Sequence, residues 1–160
     1  MGKERASVTP AVRALREHGV EFIESPYRYV EKGGTAVSAQ ELGVDEHSVV
    51  KTLVMEDEEK HPLIVLMHGD REVSTKEMAR LMGVKRVSPC TPETAHRHTG
   101  YLVGGISPFG VRKSMPIYME GSILTLPRIY INGGRRGFLV GLDPRELVRV
   151  LNPTMVSAGI

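Results

Sequence analysis

The chain contains no tryptophan, a single cysteine and no long apolar run, and its 5 tyrosines and 3 phenylalanines are its only aromatic residues in 160. One cysteine, Cys90, excludes an internal disulfide framework and agrees with a reducing compartment, so the cytoplasm is the expected location. No uninterrupted apolar stretch approaches the roughly 18 residues of a membrane span, and the opening segment from Met1 to Ser7 is polar, without the apolar centre of a signal peptide. No membrane partner is expected. A dominant charge sign is missing as well: the formal net charge is +2, short of the dense basic face that duplex DNA binding uses.

What is present is enough Val, Leu, Ile and Met to build one core, which predicts a single domain over 1–160. The basic residues form small groups, Lys85-Arg86, Arg112-Lys113 and Arg135-Arg136, beside loops containing Gly or Pro. There they could meet phosphates or simply be solvated.

Thr9-Pro10 predicts a helix start, with Val8, Val12 and Leu15 on one face and Gly19 as the stop. Val20 to Ile23 reads as a short strand and Tyr27 to Thr35 as an exposed loop. Ser38 to Glu41 and Ser74 to Glu77 both have the spacing of a capping box, in which a serine and a glutamate three residues apart satisfy free N–H groups, so each predicts a helix start. Between them, Val49 to Met55 and Pro62 to Met67 form a predicted hairpin about the acidic turn Glu56 to Lys60. Thr91-Pro92 starts a further helical turn, Ile117 to Met119 and Arg128 to Ile131 read as strands, and Asn132-Gly133-Gly134 reads as a tight turn into Phe138 to Val140. Asp143-Pro144 caps a last helix. Helices and strands mix without strict alternation, which predicts an α+β fold: a mixed, largely antiparallel curved sheet flanked by helices.

The segment from Thr99 to Gly110 holds four glycines, which let a backbone approach a ligand closely and leave N–H groups available. It lacks the Lys-Ser/Thr of a P-loop and the spacing of a dinucleotide fingerprint, so by spacing alone it is a turn or a site for an ester or phosphate. Lys51 interrupts an apolar strand; lysine is seldom fully buried without a partner, so it either snorkels to an edge or enters a pocket that holds an anion. Ser107 is followed by Pro108 and lacks a strand-to-helix elbow, which argues for orientation or loop closure over nucleophilic attack. His96 and His98 form a His-x-His pair without further ligands at zinc spacing, so they read as a polar surface turn, and Cys90 reads as an apolar filler or as a thiol activated by the adjacent helix start.

Three segments in order, Val49-Val50-Lys51-Thr52-Leu53, Gly100-Tyr101-Leu102-Val103-Gly104-Gly105-Ile106-Ser107-Pro108-Phe109-Gly110, and Ile129 to Gly137, resemble the YbaK/EbsC and prolyl-tRNA-synthetase editing-domain superfamily, and the resemblance runs from Thr9 to about Leu151. It implies that family's fold and an aminoacyl-tRNA deacylase that clears mischarged tRNA in trans, with Cys-tRNA(Pro) foremost and Ala-tRNA(Pro) or a non-catalytic 3′-end-binding module as alternatives. It further implies Lys51, Gly104 and Gly105 as the catalytic groups, with Lys51 holding the 3′-terminal adenosine end and the two glycine N–H groups the carbonyl oxygen. Tyr27, Tyr101, Ile106, Ser107, Pro108, Gly133, Gly134 and Arg136 would contact the substrate, Tyr29 lying close enough to Tyr27 to compete for its role. Attack would come from the substrate, for cysteine from its own thiol, with no cofactor and no metal. The partners implied are the acceptor end of aminoacyl-tRNA and, as a candidate, prolyl-tRNA synthetase. Leu139 stands where relatives often carry an acid.

Overall fold

A computed structural model describes residues 8–160; the polar segment from Met1 to Ser7 lies outside the described residues. Thr9 caps α1 (Pro10–Glu17), its Oγ1 accepting the Val12 N–H at 3.0 Å, and Pro10 occupies the first turn where its missing N–H costs nothing. Ala11, Val12 and Leu15 are buried, whereas Val8 is 44% exposed and does not share their face. The expected strand Val20 to Ile23 is displaced: β1 spans Ile23–Pro26, because the Val20 N–H closes back on the Leu15 carbonyl and Val20 finishes the helix end inside the core.

The remaining elements are α2 (Gly34–Leu42), β2 (Val49–Asp57), β3 (Pro62–His68), α3 (Thr75–Met82), β4 (Val87–Pro89), α4 (Pro92–Thr99), β5 (Ile117–Glu120), β6 (Ile129–Arg135), β7 (Phe138–Leu142), α5 (Arg145–Leu151) and β8 (Thr154–Val156). The strands form one sheet in the order β1-β7-β6-β2-β3-β5-β8, with β4 paired to the far half of β2. Four pairings are antiparallel (β1–β7, β7–β6, β2–β3, β2–β4) and three parallel (β6–β2, β3–β5, β5–β8), so the mixed, largely antiparallel α+β fold is present. No helix of the described residues is long and apolar enough to cross a membrane.

Both faces of the sheet are covered. Val50, Val54, Ile64, Leu66, Ile129 and Ile131 point to one face, under α1, α4, α5 and the buried Tyr101, Phe109 and Met115. The opposite face carries two separate clusters: Val49 and Leu139 under Ala39 of α2, and Met55, Leu63 and Val65 under Met78 and Ala79 of α3.

Two local expectations are corrected. Ser74 does cap α3, its Oγ accepting the Glu77 N–H at 3.1 Å, but Ser38 lies inside α2, which already begins at Gly34, and its hydroxyl donates to the Thr35 carbonyl. Asn132-Gly133-Gly134 is no turn either. These residues belong to β6, where Asn132 Oδ1 accepts the Gly134 and Arg135 N–H groups across an irregularity in the ladder, and the chain reverses instead at Arg136-Gly137.

Candidate active site

Along β2, alternation sends Val49, Lys51, Leu53 and Met55 to the face that α2 and α3 share. Val49 belongs to the cluster under α2 and Met55 to the cluster under α3, so Lys51 occupies the interval between them. Its side chain is 19% exposed; Nζ donates to the Arg71 carbonyl at 2.5 Å and lies 3.9 Å from Glu72 Oε2. Glu72 is mostly solvated, so this ion pair is worth about 0–1 kcal/mol. An ammonium has three donors, and the Arg71 carbonyl takes one.

That carbonyl is braced from behind. Glu72 exchanges both backbone hydrogen bonds with Ile160, and the Ser74 N–H donates to the Ala158 carbonyl. The buried Glu120 carboxylate in turn accepts the N–H groups of Ala158 (2.8 Å) and Gly159 (3.2 Å).

The glycine loop approaches this face from the neighbouring strand. β6 runs parallel to β2 with Val49 opposite Tyr130, so two residues further on, Asn132 falls on the same face and beside Lys51. Asn132 Nδ2 donates to the Gly104 carbonyl at 3.1 Å, and Arg136 Nε donates to the Val103 carbonyl at 3.0 Å. The Arg136 guanidinium also lies over the Tyr29 ring, 5.4 Å from its centroid. A Cβ placed on Gly104, which has φ +93°, would sit 2.7 Å from the Tyr29 hydroxyl, and one on Gly105 would sit 2.7 Å from the Arg136 backbone nitrogen. Only glycine permits the loop tip to press this closely against Tyr29 and the β6–β7 turn.

These contacts sort the expected site residues. Lys51, Gly104 and Arg136 converge on one region. The Gly105 N–H, expected to face a substrate carbonyl, donates to the Leu102 carbonyl at 2.8 Å and so closes a turn; among the described residues the Gly104 N–H has no such acceptor. Tyr29 touches the loop tip, whereas Tyr27 packs with Leu139, Val49 and Ala39, and burial pushes its phenol above the ordinary tyrosine range. Tyr101 is buried on the opposite face, its hydroxyl donating to the Phe109 carbonyl at 2.6 Å and its pKa pushed to about 12 by burial.

Ser107 is fully buried and its Oγ accepts the Phe109 N–H, which closes the loop locally. Pro108 is buried beside it and Ile106 is half-buried against the core under α1. Gly133 and Gly134 approach the fold itself: a Cβ on the first would strike the Phe138 ring at 2.5 Å, and one on the second would meet Thr9 and Tyr101 at 3.0 Å. Leu139 is buried and brings no charge to the region.

One further expectation changes, and one alternative reading falls. His96 and His98 sit on α4 rather than in a surface turn; His98 is buried, which lowers its pKa, and His96 Nδ1 pairs with the Tyr101 carbonyl. Cys90 is half-buried, and burial together with the nearby Glu56 carboxylate holds its thiol up at about 11, the reverse of an activated nucleophile.

Sequence reasoning missed a cluster of His47, His68 and Asp70, whose ligand atoms lie within 4.8 Å of one another. The two rings stack at 3.7 Å and 6°, which points their lone pairs side by side rather than at one ion. Both nitrogens of His68 are engaged, by the His47 carbonyl and by Ser122 Oγ, and His47 Nδ1 pairs with Asp70 at 2.8 Å. The cluster ties the start of β2 to the end of β3.

Comparison with known proteins bears directly on this geometry. EbsC of Enterococcus faecalis (strain ATCC 700802 / V583), a candidate Cys-tRNA(Pro)/Cys-tRNA(Cys) deacylase, is 28% identical over 151 residues, covering 94% of this chain and 92% of EbsC. A proline–tRNA ligase from Thermodesulfovibrio yellowstonii is 35% identical over 69 residues, which cover 43% of this chain and 12% of the ligase. Among solved structures, a candidate trans-editing enzyme for prolyl-tRNA synthetase superposes with a TM-score of 0.82 at 25% identity, covering 96% of this chain and 99% of that one. A model of the aminoacyl-tRNA editing domain matches residues 31–150, which include Lys51, the glycine loop and the β6–β7 turn. The chain belongs to the aminoacyl-tRNA editing domain family.

Proposed function

We propose that this protein is a trans-editing aminoacyl-tRNA deacylase, a single domain that cleaves the ester of mischarged tRNA, with Cys-tRNA(Pro) as the foremost substrate. The observation that carries the reading is Lys51: a lysine whose side chain is mostly covered, beside a glycine loop whose tip is pinned by Asn132 and Arg136. A fixed cation next to an available backbone N–H is what an ester substrate needs, since an aminoacyl ester is already labile and positioning with charge stabilisation accounts for much of the rate.

In this reading Lys51 holds the 3′-terminal adenosine end, and the Gly104 N–H donates to the ester carbonyl oxygen as negative charge grows there. Gly105 acts through its close packing, not through its own N–H. Tyr29 and Arg136 shape the rim, and the half-buried Tyr27 lines the side nearest α2. For a cysteinyl substrate the side-chain sulfur attacks the carbonyl carbon, the bond to the ribose oxygen breaks, and the thiol proton passes to that oxygen, giving a cyclic thiolactone and free tRNA. The exchange balances without a cofactor or a protein nucleophile, in keeping with the raised Cys90 thiol and the buried Ser107. Prolyl-tRNA synthetase is the candidate partner that would supply tRNA selection.

A separate sieve has physical sense because an apolar synthetase pocket separates near-isosteres by only about 10- to 200-fold. The buried Leu139 supplies no charge and so leaves the choice of amino acid open, and Ala-tRNA(Pro) is a second reading within the same class. Incubating the protein with labelled Cys-tRNA(Pro), Ala-tRNA(Pro) and Pro-tRNA(Pro) decides among these. Loss of cysteine alone supports the thiol course and loss of alanine the second reading; stable esters in all three reactions would leave a 3′-end-binding module and sink the deacylase.

A further inference from the structure

Away from the Lys51 region, α3 and the start of β4 enclose an open groove of about 380 Å³ lined by Thr75, Lys76, Arg80, Lys85 and Arg86 above a small apolar floor. Four of these five side chains are cationic. Arg80 is paired with Glu77, but among the described residues Lys76, Lys85 and Arg86 form no ion pair. The other acid at the rim, Glu58, is engaged by the backbone N–H groups of Lys85 and Arg86, which leaves both of their side chains exposed and directed by chain geometry rather than by the carboxylate.

The groove's position relative to the candidate active site is fixed by the sheet. The face of β2 that carries Lys51 also carries Met55, and Met55 packs with Met78, Ala79 and Val87, which underlie the groove. Lys51 to Met55 is four residues, or about 13 Å at a strand rise of about 3.3 Å per residue. The α3 helix starts four residues after Arg71, whose carbonyl holds Lys51, so the row of cations begins near the candidate site and leads away from it.

We propose that this groove binds the phosphate backbone of the acceptor arm of tRNA, with Lys76, Lys85 and Arg86 as the contacting cations. Three unpaired cations beside one another suit a polyanion, and their distance from Lys51 suits phosphates several nucleotides from the ester. The inference rests on the deacylase reading for the identity of the RNA and for nothing else. Contacts to phosphate read no sequence; they set register and strengthen binding in a salt-dependent way. The groove would therefore orient the acceptor arm and leave amino-acid choice to the region around Lys51.

The test measures affinity for uncharged tRNA by fluorescence anisotropy over a salt series, for the wild type, for Lys85→Glu with Arg86→Glu, for Lys76→Glu, and for Arg13→Glu on the far side of the sheet. The double variant should bind about tenfold or more weakly at low salt, and its log–log salt slope should be shallower by about 1.4 to 1.8, as loss of two phosphate contacts requires. Lys76→Glu should weaken binding to a smaller degree, and Arg13→Glu should match the wild type. Unchanged affinity in the double variant, or an equal loss in Arg13→Glu, would overturn the groove. A parallel assay on an aminoacylated CCA trinucleotide, too short to reach the groove, should give the same cleavage rate in all four proteins. If the wild type leaves full-length Cys-tRNA(Pro) and Ala-tRNA(Pro) intact the deacylase reading fails, while the binding series still decides the groove.

Discussion

The two faces of the sheet are built differently, although both are sealed by helices. Under α1, α4 and α5 the side chains form one continuous cluster reaching from Val12 to Leu147, with Ile64, Leu66, Ile129 and Ile131 at zero exposure. Under α2 and α3 the apolar contacts divide into two smaller clusters, and Lys51 stands in the division. The first face holds the protein together. The second gives up continuous packing, and the interval contains the cation, the Asn132 amide that reaches the glycine loop, and the carbonyl that steadies Lys51. A lysine needs this kind of interruption, since inside the continuous cluster it would be desolvated without a partner.

The sharpest way to test the contrast is to remove equal volumes from the two faces. Leu66 is fully buried in the continuous cluster, so Leu66→Ala should destabilise by about 2–5 kcal/mol in chemical denaturation. Leu53, only partly buried on the divided face, should cost less than half as much on truncation. Equal losses would mean that the two faces contribute alike and that the division is an accident of cluster boundaries.

Lys51→Ala separates function from stability. It removes a cation whose contacts are one carbonyl and one solvated carboxylate, so the melting temperature should move little. Deacylation should fall by at least 100-fold, about 2.7 kcal/mol of transition-state stabilisation. Turnover near that of the wild type would remove Lys51 from the chemistry and leave it a structural lysine.

How much of this was legible in the sequence follows the range of the interactions. The Ser74 box and the Thr9-Pro10 start were readable because each acts within four residues, and Lys51 was conspicuous as a charge within an apolar strand. The Ser38 box has the same spacing and fails, because Gly34 starts the helix earlier and takes the serine into its interior. The three-residue strands β4 and β8 are too short for alternation to register, and they form because β2 and β5 offer them open edges. Asn132-Gly133-Gly134 has the composition of a hairpin turn; the Phe138 ring, and Thr9 from 124 residues away, make it a close-packed strand segment instead. Likewise the His47–His68 stack joins residues 21 apart, and the use of the Gly105 N–H within its own turn depends on loop geometry that glycine spacing does not determine.

The smallest expected effect lies at the boundary between the faces and has the opposite sign. Thr52 follows Lys51 on β2 and so points to the continuous cluster, where its Oγ1 is buried without a hydrogen-bond partner among the described residues. A buried hydroxyl left unpaired costs about 1–3 kcal/mol, and a valine of nearly the same shape removes that cost. Thr52→Val should therefore stabilise the protein by about 1 kcal/mol and raise the melting temperature by a few degrees, with deacylation unchanged because Lys51 keeps its own strand position and acceptor. A loss of stability would show that the hydroxyl is satisfied in solution by water entering the continuous face, which is then less closed there than its packing implies.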